Sequence, residues 1–130
     1  MSLEELLEEC GRRFVHLSRR GERVHVQPSF VEPENLTPEL IAALRAHRQE
    51  LLDLLRWEEE ADGVLLSSTR YLARAWPKGC ALESEEWRRF EGELQKAYKN
   101  RDQAQFGRVI REREDYALSL FRSFSRESAT

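Results

Sequence analysis

Apolar residues recur along most of this chain at the spacing of an α-helix. Leu3, Leu6, Leu7 and Cys10 stand at i, i+3, i+4 and i+7, one helical face. Ser2 and Glu5 make the S-x-x-E pattern of a capping box, so a helix is predicted from Ser2 to about Arg12, ended by Gly11. From Phe14 to Gln27 the period drops to two. Val15 and Leu17 alternate with His16 and Ser18, and Val24 and Val26 with His25 and Gln27. Gly21, in the polar stretch Arg19-Arg20-Gly21-Glu22-Arg23, supplies the positive φ of a hairpin turn. A loop centred on Arg20-Gly21 pairs Leu17 with Val24, Val15 with Val26 and His16 with His25. A three-residue loop with a bulge at Gly21 pairs Ser18 with Glu22 and splits the apolar face, so the first register is preferred. A lone hairpin is unstable in water, and its apolar side has to pack on helices.

Pro28, Pro33 and Asn35 mark residues 28–36 as a loop. Thr37 then reads as an N-cap, Pro38 as the first helical residue and Glu39 as a first-turn acid. Leu36 and Ile41 stand where a hydrophobic staple would. The helical pattern runs to about Trp57 through Leu40, Ile41, Leu44, Leu51, Leu52 and Leu55. Periodicity leaves open whether it is one helix or two that break near Ala46-His47. Residues 57–63, rich in Glu, read as a solvated linker. Three helices are predicted beyond it. The first spans about Val64 to Trp76 and is stopped by Pro77-Lys78-Gly79. The second runs from N-cap Ser84 to about Lys99, with Trp87, Phe90, Leu94, Ala97 and Tyr98 as its stripe. The third runs from N-cap Asp102 to about Phe124, with Phe106, Val109, Ile110, Ala117, Leu120 and Phe121. The two-residue turn Asn100-Arg101 forces the last two into an antiparallel hairpin. Residues 125–130 read as a frayed tail. The fold class is therefore α+β, mainly helical, with a module over 1–56 and a three-helix unit over 64–124.

Composition narrows the function by exclusion. Among the 130 residues 35% are charged, yet the net charge is only -3. Neither half is basic, so wholesale capture of nucleic acid or an anionic membrane is disfavoured, and DNA binding would need a local basic patch. No apolar run approaches the ~20 residues of a membrane span. The start, Met-Ser-Leu-Glu-Glu, is acidic where a secretory signal is basic, and a cytoplasmic protein is expected. Cys10 and Cys80 have no CxxC or zinc-ligand spacing and read as small buried hydrophobes with reduced thiols. There is no Gly-rich phosphate loop, no HExxH and no nucleophile motif. The chain is read as non-enzymatic, with no cofactor and no metal.

Residues 3–56 resemble the N-terminal docking domain of the TubC type, found at the start of some hybrid peptide and polyketide synthetase subunits. The resemblance rests on Leu-Leu-Glu-Glu-Cys at 6–10, the hairpin from Val15 to Val26, and Leu-Thr-Pro-Glu-Leu-Ile-Ala-Ala-Leu-Arg-Ala-His-Arg-Gln-Glu-Leu-Leu at 36–52. Arg48 stands where the family pattern expects Lys. The resemblance implies a small dimeric recognition module whose exposed hairpin receives a short peptide. It stops at residue 56. The His-His-x-x-x-Asp-Gly motif of a condensation domain does not follow; the chain instead is similar to stand-alone docking-like proteins of bacterial mobile elements.

The candidate partner-binding residues are His16, Arg19, Arg20, Arg23, Val24, His25 and Val26. His16 and His25, opposed on the outward face, lack the carboxylate or thiolate that would make a good metal site. They read as solvated residues or as part of a peptide groove. Arg19, Arg20 and Arg23 form a basic tip suited to an acidic peptide end, and the hairpin edge offers unpaired backbone groups to a partner strand. His47 reads as a satisfied histidine beside the apolar face, and Trp57, Trp76 and Trp87 as core. Arg101, Arg108, Arg111 and Arg113, interleaved with Glu112, Glu114 and Asp115, read as a solvated, salt-bridged face. The leading expectation is a homodimeric docking or adaptor protein with a protein or peptide partner. The alternative is a mobile-element accessory protein acting with DNA or a replication enzyme.

Overall fold

The computed structural model describes residues 1–28 and 36–128. Within them the chain forms five helices and one two-stranded sheet. The α+β, mainly helical class holds. The order is α1 (Leu3–Arg12), β1 (Val15–Arg20), β2 (Arg23–Pro28), α2 (Pro38–Ala46), α3 (Arg48–Ala75), α4 (Glu85–Lys99) and α5 (Gln103–Ser128). The expected loop over 28–36 falls almost wholly outside the described residues. The chain divides into two compact units, Met1–Glu58 and Glu59–Thr130.

In unit 1 the predicted caps form. Ser2 Oγ accepts from the Glu5 amide at 3.2 Å, and Thr37 Oγ1 from the Leu40 amide at 3.2 Å. Each satisfies an amide that the helix itself leaves unpaired. Gly11 does not end α1. The helix continues to Arg12, and the chain leaves it through Phe14, whose φ of 55° is the left-handed conformation of a helix exit. Leu6, Cys10, Val15, Leu40, Leu44 and Leu51 form one buried cluster, and Leu17, Val24 and Val26 pack against it. The hairpin is thus held by its apolar face.

The hairpin register corrects the expected one. Arg20 pairs with Arg23, Leu17 with Val26, Ser18 with His25 and His16 with Gln27. The loop is Gly21-Glu22, one residue beyond the predicted one, so each cross-strand partner shifts by two. Gly21 has φ 61°, and Glu22 is not among the positive-φ residues. Glycine therefore occupies the first loop position, where a type II′ turn requires positive φ. A loop centred on Arg20-Gly21 would have forced that conformation on Arg20. A shift of two residues keeps every side chain on its face, so the apolar side survives, but His16 and His25 become diagonal rather than opposite. Diagonal neighbours stand ~7–8 Å apart, which removes the basis for a shared metal.

The helical pattern after Thr37 is two helices. α2 closes at His47, whose amide bonds the carbonyls of Ala43 and Arg45. The predicted linker at 57–63 is helical throughout, as part of α3. The helix expected to begin at Val64 is therefore the second part of a longer one. Ala61 is 2% exposed in the middle of the supposed linker, which shows the acidic run to be one face of a helix. The tail expected to fray at Ser125 stays helical to Ser128.

In unit 2, α4 and α5 pack antiparallel. Phe90 meets Tyr116 at 5.7 Å between ring centroids, and Tyr98 meets Phe106 at 6.4 Å. The turn between them is a Schellman motif: Asp102 N–H donates to the Ala97 carbonyl (2.9 Å) and Arg101 N–H to that of Tyr98 (3.2 Å). Arg101 takes φ 54° at the position glycine usually fills. Asp102 then caps α5 by accepting from the Gln105 amide at 3.1 Å. Leu72, Leu82, Ala117 and Phe121 form the buried cluster of this unit. Trp76, expected in the core, is 39% exposed; its ring lies against Phe121 at 5.2 Å and its indole N–H donates to the Cys80 carbonyl. Arg113 corrects the solvated arginine face. It is only 6% exposed, with its guanidinium 4.9 Å from the Trp87 ring centroid.

Candidate functional site: a basic-rimmed groove on the hairpin

Alternation along β2 turns Val24 and Val26 to the same side of the sheet. On α2, Ile41, Leu44 and Arg45 stand at i, i+3 and i+4 and so share one helical face. These two faces border a groove of about 400 Å³, completed by Leu36, Arg23 and Arg48. Its floor is apolar. Its rim carries three guanidinium groups and, among the described lining residues, no carboxylate. Ile41 is 37% exposed within it, an apolar side chain left to solvent beside the buried Leu40 and Leu44.

The rim is anchored. Arg48 Nη2 donates to the Glu22 carbonyl at 2.8 Å, tying the start of α3 to the hairpin turn. Arg56 pairs with the Glu22 carboxylate. Glu22 is largely exposed and Arg56 partly so, and the pair contributes at most ~1 kcal/mol. The fixed element is the backbone carbonyl of the turn, held by a charged donor.

The seven predicted residues part company here. Arg23, Val24 and Val26 line the groove. His16 lies at a smaller depression of about 190 Å³, with Cys10, Leu51 and Leu54 among its neighbours. Arg19 turns inward on the hairpin itself, its Nη1 donating to the Gly21 carbonyl at 3.1 Å. Arg20 is exposed opposite Arg23, and His25 is half-buried opposite Ser18. Ile41, Leu44, Arg45 and Arg48 went unassigned by the sequence reading. Their signal was present: an apolar helical stripe followed by Arg45 and Arg48 three residues apart. It was read as core alone.

His47 joins α2 to α3 between the two rim arginines. It donates from Nδ1 to Glu50 Oε1 (2.9 Å) and from Nε2 to the Met1 carbonyl (2.8 Å). Both acceptors are oxygens, so the imidazolium, with a proton on each ring nitrogen, is the form that satisfies both bonds. The Glu50 hydrogen bond first, and the Met1 carbonyl second, raise its pKa from the ordinary 6.5. The fold thus favours the cation. Its stabilisation is complete below the ordinary value and is lost as pH rises through the raised one. The thermal midpoint of wild type should exceed that of His47→Gln at pH ~6, and the gap should close by pH ~9. A gap that widens with pH would contradict the assignment.

Cys10 is buried and Cys80 half-buried, and both are free. Burial pushes the Cys10 thiol above its usual pKa, so it is a poor nucleophile. Among the described residues no group of three His, Cys, Asp or Glu side chains could hold a metal ion. No helix of the described chain is long and apolar enough to cross a membrane. Comparison with family models, curated proteins and solved structures finds no match for this chain.

Proposed function

We propose that the chain is a non-enzymatic docking protein of the cytoplasm, and that unit 1 receives an acidic, apolar segment of another protein in the groove between β2 and α2. One observation carries the reading: an apolar floor beside three rim arginines with no lining carboxylate. Arginine forks match carboxylates in pairs, and the floor takes alternate apolar side chains of an extended segment. β2 is paired only with β1 among the described strands, so its outer edge suits an added strand. The resemblance of residues 3–56 to a docking domain agrees with this reading. Of the residues expected from sequence, the proposed contact keeps Arg23, Val24 and Val26, and it adds Ile41, Leu44, Arg45 and Arg48.

The test is fluorescence polarisation with a labelled peptide of alternating leucine and glutamate. Wild type should bind it, and affinity should weaken as salt rises from about 0.1 to 1 M. Arg45→Glu should reduce binding by at least tenfold, since a like charge then faces the peptide. His16→Glu, which pairs with Gln27 and lies outside the groove lining, should leave it within about twofold of wild type. Equal losses in both variants would reject the groove. Tight, salt-sensitive binding of duplex DNA in place of the peptide would favour the mobile-element accessory alternative.

A further inference from the structure

The α3–α5 side of unit 2 presents apolar surface to solvent. Val64 is 45% and Tyr71 50% exposed. They stand seven residues apart on α3 and share a face with Ser67. Two depressions follow each other along this side. The first, about 670 Å³, lies between α3, from Glu59 to Tyr71, and Ile110 and Glu114 of α5. The second, about 440 Å³, takes in Ala75, four residues beyond Tyr71, and α5 from Leu118 to Arg126. Ile110, Glu114 and Leu118 are spaced by four, so the two depressions are stretches of one seam.

Charge is distributed directionally along the seam. Glu59, Glu60 and Glu114 line the first stretch, with no cation among its described lining residues. Arg122 and Arg126 line the second, with no carboxylate. A surface with opposite signs at its two ends is complementary to itself when a copy is turned end for end. A parallel copy would set glutamate against glutamate. A uniformly charged segment would match one end only. Reversal by a two-fold axis satisfies both ends and brings the exposed Val64 and Tyr71 of the two copies under cover. In addition, the Ser68 hydroxyl in the wall of the first stretch is buried and has no hydrogen-bond partner.

We propose that this seam is the interface of an antiparallel homodimer of this chain, with α3 and α5 of both copies side by side. The inference is independent of the groove on unit 1. From Glu60 to Ala75 the seam is about 22 Å long at 1.5 Å per residue, and two helix widths of ~10 Å give a footprint of about 450 Å². Stable complexes bury ~800 Å² per partner, so this dimer should exchange with monomer at micromolar concentration.

Sedimentation velocity of the full chain over the micromolar range tests the proposal. Wild type should shift from monomer to dimer as concentration rises. The double variants Glu59→Arg/Glu60→Arg and Arg122→Glu/Arg126→Glu should each stay monomeric where wild type is dimeric. All four side chains are exposed, and unchanged circular dichroism checks the helices. An equimolar mixture of the two variants should recover a dimer with one chain of each. A wild type that is monomeric throughout would overturn the proposal. So would variants that dimerise like wild type, or a mixture that stays monomeric.

Discussion

Leu51→Ala is expected to destabilise unit 1 by about 2–5 kcal/mol, the cost of an unfilled core site. Leu51 is 0% exposed and belongs to the cluster of Leu6, Cys10, Val15, Leu40 and Leu44. That cluster draws on α1, β1, α2 and the start of α3, so no single element can collapse to fill the space. A domain of this size has a total stability of roughly 3–9 kcal/mol, and the loss is therefore a large share of it. The groove should go with it, since Leu44 belongs to both cluster and floor. Hydrogen exchange checks the expectation. Amides of α1, the hairpin and α2 should lose protection in the variant. Those of α5, which carries Ala117 and Phe121 of the separate cluster with Leu72 and Leu82, and those of α4, whose Trp87 packs against that cluster, should keep it. Equal loss in both units would show that they unfold as one body.

The second large effect is a contrast at Arg113. The side chain is 6% exposed, it stacks on Trp87, and its Nε has no hydrogen-bond partner. Burial lowers its pKa from the ordinary range, while Glu91 and Glu114 oppose that shift. The cation is held mainly by the ring face and by packing of its methylene stem. Arg113→Ala should cost about 2 kcal/mol, because it removes both. Arg113→Met keeps the stem volume and removes the buried charge. It should stay within about 1 kcal/mol of wild type, or exceed it, since a buried charge incompletely satisfied is no net gain. Urea unfolding midpoints of the three proteins give the comparison. A methionine variant as weak as the alanine variant would show that the charge itself stabilises unit 2.

Local signals carried most of the fold. The caps at Ser2, Thr37, Ser84 and Asp102 each start a helix where a side-chain oxygen reaches a free amide. These signals depend on residues three apart and are readable in one dimension. The hairpin register was harder. Its valine pattern is unchanged by a shift of two, so only the turn decides, through which position carries positive φ. The helical state of 57–63 was missed for a different reason. Glu58-Glu59-Glu60 hides the apolar Trp57 and Ala61 on either side, and a charged face was mistaken for a gap. Arg113 shows the same limit from the other direction. An arginine among glutamates looks solvated until Trp87, in the first turn of another helix, covers it.

The candidate site was half legible. Arg23, Val24 and Val26 were named because they lie next to the turn. Arg45 and Arg48 were passed over because their role needs α2 and the start of α3 laid beside the hairpin, a long-range pairing that no spacing encodes. His16 and His25 attracted notice as a rare residue type, and the observed register parts them.

The measurement that bears most directly on the docking reading is an amide NMR titration of the full chain with the leucine-glutamate peptide. The account predicts saturable shifts at Val24, Val26, Ile41, Leu44 and Arg45. Shifts centred on His16, Ser18 and Arg20, or no shifts at all, would contradict it.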